Sequence, residues 1–124
     1  MNQEITLEVF VEGNVIFQSD RHWLHPLFDL IDHVEKEKVD LSQAEVHDRI
    51  IGLAAALLML RLGVARVHGG VISELAIEVF RRASVPYSFD TSVKRIECST
   101  ESSLLGITDL EEAYRILCKQ TKRC

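Results

Sequence analysis

The residues able to do chemistry in this 124-residue chain are few and widely spaced. Asp48, Ser73 and Glu74 stand where apolar runs should begin as helices, with Gly52, Gly69 and Gly70 close by. An Asp at a helix start can serve as a general base or touch a ligand. It can also simply cap the helix, a role worth about 1 kcal/mol. Ser73 carries the same two readings, and for both residues the cap is favoured. Gly52 and Gly70 would let a ligand approach the backbone closely. The competing reading has Gly52 packing a helix tightly onto a sheet and Gly69-Gly70 forming a turn. Free amides at helix starts bind anions, but at the helix begun by Asp48 a carboxylate would already hold the positive end.

Metal chemistry asks for more than these positions offer. A catalytic zinc takes three protein ligands and keeps a fourth place for water. His47 and Glu74 are the plausible ligands near the two helix starts, and two are too few, so neither a metal nor another cofactor is expected. Cys98, Cys118 and Cys124 show no Cys-x-x-Cys spacing. Thr108 has no activating base nearby in sequence, and Cys98 could supply a thiol only if the 97–107 loop folded back. His22, His25 and His33 lie on or beside the first helix and should face solvent, whereas His68, on a strand, should be packed. Spacing alone reveals no Ser-His-Asp, paired-carboxylate or P-loop arrangement.

The elements that must position these groups follow from periodicity. Ile5, Leu7, Val9 and Val11 alternate with more polar neighbours, which predicts a strand. Gly13-Asn14 suits a hairpin turn into a second strand, Val15 to Phe17. A helix should start near Pro26, a residue tolerated in the first turn, and end in the charged run Glu35 to Lys38. Asp40 to Glu45 reads as a loop. A second helix, capped by Asp48 and closed by Gly63, is apolar on nearly every side from Ile50 to Leu60. Such a helix is covered on nearly every side. The sheet must cover one side and either another helix or a partner subunit the other, which leaves a homodimer open. Val64 to His68 reads as a strand broken by Gly69-Gly70. Ser73 then caps a third helix whose stripe is Leu75, Ala76, Val79, Phe80 and Ala83, with Glu78 and Arg82 paired on its wet face. Val85 to Phe89 and Val93 to Ile96 read as short strands, with Pro86 at a start or a sheet edge. After a Ser-rich loop, Thr108 and Glu111 form a capping box for the last helix.

Composition narrows the partners. At 47% hydrophobic and 27% charged residues, the chain is globular in type, and its length suits one domain over 1–124. A net charge of −5 without a basic stripe argues against nucleic acid. The longest apolar run, Ile50 to Leu60, falls short of the roughly twenty residues that span a bilayer, and no signal peptide is evident. A cytoplasmic protein with reduced thiols is expected.

Gly52-Leu53-Ala54-Ala55-Ala56-Leu57-Leu58, then Gly63-Val64, then Gly70-Val71-Ile72-Ser73-Glu74 resemble the signature of the bacterial domain-of-unknown-function family 1893. The likeness extends upstream through Pro26-Leu27-Phe28-Asp29-Leu30-Ile31 and downstream to the last helix. Two positions depart from the family pattern: Leu53 stands where members usually carry Lys, and Thr108-Asp109-Leu110-Glu111 where they tend to have Cys-Pro-Met-Glu. The resemblance implies a cytidine-deaminase-like α/β sandwich, with no activity established. Zinc deaminases of that fold need His- or Cys-Ala-Glu at one helix start and Pro-Cys-x-x-Cys at another. Here the corresponding starts read Val46-His47-Asp48-Arg49 and Ile72-Ser73-Glu74-Leu75.

The expectation is therefore a mixed sheet of about five strands with helices on both faces and no zinc-deaminase chemistry. A small-molecule site, for a ligand of nucleotide-like or anionic kind, should lie near Asp48, Gly52, Gly70, Ser73 and Glu74, where two helix starts converge beyond the strand ends. A metal-independent enzyme using Asp48 or Glu74 as base, and an assembly module, are the alternatives.

Overall fold

The computed structural model describes residues 5–96, Leu104 and residues 109–122. Alternating burial makes β1 (Leu7–Val11), and β2 (Asn14–Ser19) returns antiparallel beside it. The turn falls one residue earlier than Gly13-Asn14. Glu12 and Gly13 hold φ of 52° and 82°, the left-handed pair whose twist matches a hairpin. Then α1 (His25–Glu37) begins beside Pro26 and stops at Lys38, which adopts a left-handed φ of 55°.

The largest departure from expectation comes next. Residues 44–51 are a strand, β3 (Ala44–Ile51), and Asp48 lies inside it instead of capping a helix. Ala44 and Val46 are fully buried while Glu45 and His47 reach the surface, so the period of two is present. It is short and passes through Asp48, a poor strand former, and so it reads as a loop followed by a cap. The second helix, α2 (Leu53–Leu62), is capped by Gly52, four residues after the expected Asp48, and closed by Gly63 at φ 73°.

β4 (Arg66–Ser73) runs straight through Gly69-Gly70, where a break was expected. Ser73 caps α3 (Glu74–Arg82) as expected, its Oγ accepting the Ala76 amide at 3.1 Å. One strand, β5 (Tyr87–Val93), replaces the two short ones and begins just after Pro86. The last helix, α4 (Leu110–Gln120), is capped by Asp109, whose carboxylate accepts the amides of Glu111 and Glu112. Thr108, the expected cap, lies outside the described residues.

The strands form one mixed sheet in the order β2-β1-β3-β4-β5. β1 is antiparallel to both neighbours, while β3, β4 and β5 are parallel. β2 therefore runs the same way as β3, and the crossovers through α1, α2 and α3 all advance across the sheet in one direction. Right-handed crossovers of that kind place every helix on the same face. Contacts of α1, α3 and α4 with α2 agree. The other face carries Glu45, His47, His68 and Asp90, with side chains 31–73% exposed. Among the described residues the helices thus lie on one face, not on both.

This layering explains the all-apolar helix. Leu53 through Met59 are buried to a residue, pressed between the sheet and α4, with α1 and α3 alongside. From α4, Ala113 and Leu117 are buried. Arg61 of α2 lays its guanidinium 3.9 Å over the Tyr114 ring and bonds Glu111 at 2.9 Å. Leu7, Val9, Val46, Val67 and Ile72 of the sheet share one core with Phe28, Leu58, Met59 and Phe80. Each such large side chain contributes roughly 1.5–3 kcal/mol by burial. The cover over α2 comes from the same chain, so its apolar surface requires no partner subunit.

Candidate functional site

Ile51 pairs with Ile72 in the parallel β3–β4 ladder, which sets Gly52 and Ser73 side by side. The starts of α2 and α3 do converge at one edge of the sheet. The five expected site residues do not share one hollow there, however. Ser73 is completely buried and engaged as a cap. Glu74 is exposed in the first turn of α3. Neither borders a described cavity. Ser73 acts there as the cap of α3, the reading favoured from the sequence.

Asp48 and Gly52 are brought together. Both line a cavity of about 250 Å³ enclosed by the 21–24 loop, the end of β3 and the first turn of α2. Trp23, Leu24, Pro26, Ile50 and Leu53 make most of its wall apolar, while Arg21, His22 and Arg49 border it. Arg21 is held in a two-pronged bond to Asp29, at 3.0 and 2.8 Å.

Asp48 is half-buried as a residue and lines this cavity. Burial raises its pKa from 3.8 to about 7, against the opposing pull of the Ile50 and Arg49 amides. A carboxyl in that range can hold or release a proton near neutrality. It lies where the sheet is irregular: the β3–β4 pairing skips Arg49 and Gly70, and the Arg49 amide bonds the Thr6 carbonyl at 3.0 Å. Through that irregularity Asp48 and Arg49 also border a second hollow, of about 200 Å³, with His47, His68, Gly70 and Asp90.

Gly70 belongs to this second hollow, and its glycine has a packing reason. A Cβ there would stand 2.7 Å from the Arg49 carbonyl oxygen. The close approach that requires Gly is made by the neighbouring strand and not by a ligand. The β carbon of a residue at 69 would meet the buried Ile51 side chain, at 3.0 Å from Cδ1 and 3.3 Å from Cγ1, and the Val71 carbonyl oxygen at an ordinary 3.5 Å.

Sequence reasoning missed Trp23. Its backbone sits at φ 63° and its side chain is 49% exposed at the cavity mouth. A bulky residue in the left-handed region is unusual and marks a strained position. The available signal was the chain's sole tryptophan falling in a polar, turn-like stretch instead of a core segment.

The histidines also differ from expectation. His68 is not packed: its Nδ1 lies 2.7 Å from Ser88 Oγ and its Nε2 3.4 Å from Asp90. His47 contacts Glu45, and its ring lies 5.4 Å from that of His68. The resulting Ser88–His68–Asp90 chain spans two strands, so spacing along the sequence could not reveal it. It stands in water, with Ser88 exposed and Asp90 73% exposed, and Ser88 does not border the hollow beside it. His33 packs on Phe17 and His25 on Trp23, at 5.5 and 5.7 Å between rings, while His22 faces solvent as expected.

Among the described residues no three His, Cys, Asp or Glu side chains are grouped to hold a metal. Cys98 and Cys124 lie outside those residues. Cys118 is disulfide-bonded, contrary to the reduced thiols expected. No helix among the described residues is long and apolar enough to cross a membrane.

A family model described as a domain of unknown function (DUF1893) matches residues 1–120. The crystal structure of a DUF1893 family protein (TM1506) from Thermotoga maritima is similar. It shares 25% identity and a TM-score of 0.83, over 96% of this chain and 82% of that one. No curated protein matches.

Proposed function

Because the chain belongs to the DUF1893 family, which carries no assigned function, we propose one from its own cavity: it binds a small molecule between the 21–24 loop and the start of α2. The observation that carries this reading is Asp48, its pKa raised by burial, in the wall of a mainly apolar hollow of about 250 Å³ that Arg21, His22 and Arg49 also border. Apolar pockets with a few convergent polar groups and a perturbed pKa are the usual form of ligand sites. Trp23, half-exposed at the mouth, supplies a rigid aromatic wall. The deaminase-like character of the fold, without the zinc ligands of a deaminase, is part of the same proposal. Binding here would draw on a carboxyl and on helix amides, not on a metal-bound water.

A thermal-shift screen of nucleosides, nucleotides and small organic ions tests it. A ligand at about one hundred times its Kd adds roughly 2.7 kcal/mol to stability. Hits should vanish in Trp23→Ala while that variant melts near the parent. Hits that survive this substitution place binding elsewhere and end the proposal.

A second reading, a metal-independent enzyme, is favoured by one observation only. A carboxyl titrating near 7 has the range a general acid or base needs at neutral pH. It would use Asp48, since Glu74 lies on the surface. Turnover of a binding hit that Asp48→Asn abolishes, with binding retained, would support it.

A further inference from the structure

The cavity wall carries apolar side chains, Trp23, Leu24, Pro26, Ile50 and Leu53, and polar ones, Arg21, His22, Asp48 and Arg49. The first turn of α2 also lines it, through Ala54 and Ala55. The first bond inside α2 runs from the Ala56 amide to the Gly52 carbonyl, at 3.0 Å. The Ala54 and Ala55 amides therefore have no acceptor within their own helix, and Gly52 has no side chain to cap them. The objection to an anion here was that Asp48 fills the positive end of the helix. That objection falls away, because Asp48 sits in β3 and does not cap α2.

The fixed charges point the same way. Arg21 is matched by Asp29. Arg49 enters no ion pair among the described residues. Together with the partial positive charge of a helix start, Arg49 attracts a negative group to this cavity.

We infer that the occupant is a small organic acid, its apolar part against Trp23, Leu24 and Leu53, its carboxylate held by Arg49 and the Ala54 and Ala55 amides. This rests on the cavity being a ligand site and adds the class of ligand. Asp48 makes the binding proton-coupled. Below about pH 7 its carboxyl is neutral, so it can donate a hydrogen bond to the incoming carboxylate. Above that pH it ionises and repels the ligand. Arg21 and His22 border the same cavity. Glu8, His47, His68 and Asp90 border the hollow on the other side of Asp48. Histidines in general lose charge over the same range, so a variant of Asp48 is needed to assign the effect.

Phenylacetate, 2-phenylethylammonium and 2-phenylethanol share one apolar body and carry negative, positive and no charge. Isothermal titration of each into the full chain, near pH 6 and near pH 8, reads the sign of the site. Phenylacetate should bind at least about tenfold tighter than either analogue at pH 6. It should weaken about tenfold by pH 8, as the protonated fraction of a group titrating near 7 falls. Asp48→Asn should remove that pH dependence. Arg49→Gln should weaken phenylacetate at both pH values and leave the alcohol unchanged. If the ammonium or the alcohol binds as tightly as the acid, the organic-acid assignment is overturned while the cavity still stands as a ligand site. Phenylacetate affinity that holds steady or rises with pH overturns it too. If none of the three binds, the assignment fails, and the wider thermal-shift screen decides separately on the cavity.

Discussion

Asp48 shows what one buried carboxyl does to the pH dependence of the whole domain. Its folded-state pKa, about 7, lies above the unfolded value of 3.8. The folded protein thus holds this proton more tightly than the unfolded chain. That stabilisation is complete below about pH 3.8 and is lost as pH rises towards about 7. Between pH 5 and 8 the parent should lose on the order of 2–3 kcal/mol relative to Asp48→Asn, measured by urea unfolding at each pH. A difference that stays constant would mean the carboxyl is in water. The two glycines of β4 make a second test at this scale. Gly70→Ala forces a Cβ to within 2.7 Å of backbone and should cost about 1–3 kcal/mol, as overpacking does. Gly69→Ala meets the Ile51 side chain at 3.0 and 3.3 Å and backbone only at an ordinary 3.5 Å, and should cost less. Equal losses would contradict the geometry. Asp48 and Gly52 could be picked out as candidates because acid and glycine stand out beside an apolar run, and the structure brings both to one cavity. Trp23 could not, since its place in that wall comes with a left-handed backbone in the 21–24 loop.

Some helix ends were readable at the level of elements, because caps act within a turn of sequence, but the Asp48 cap expected for α2 was not among them. Gly63 and Ser73 are where the sequence places them. Ser73→Ala should therefore cost about 1 kcal/mol and leave the affinity of a cavity ligand unchanged. A fall in affinity instead would return Ser73 to the site. Strand β3 was illegible because only Ala44 and Val46 show its burial pattern before Asp48 and the Arg49–Gly70 irregularity interrupt it. The cover on α2 could be inferred to exist, but not its source. Leu117, fully buried on α4, supplies part of it. Leu117→Ala should cost about 2–5 kcal/mol by chemical denaturation; a loss under 1 kcal/mol would mean that α4 does not hold α2 down.

Across the molecule, the mixed sheet was legible, but its five strands were counted correctly only because β3 was missed and β5 was read as two. The face on which the helices lie was not. It depends on three crossovers advancing the same way, which only strand order reveals. The same order builds the cavity, since it brings the end of β3 and the start of α2 against the 21–24 loop. A polar open face is left with the His47–His68 pair upon it. Everything functional in this account depends on the carboxyl of Asp48 being shut inside that cavity and within reach of whatever binds there. Carbon-13 NMR of the side-chain carboxyl carbons, assigned with Asp48→Asn, reads this directly in a pH titration with and without phenylacetate. The account predicts a carboxyl that titrates near 7 and moves higher when phenylacetate is bound. An Asp48 that titrates near 4 like a carboxylate in water, and does not respond to any ligand of the cavity, would contradict it.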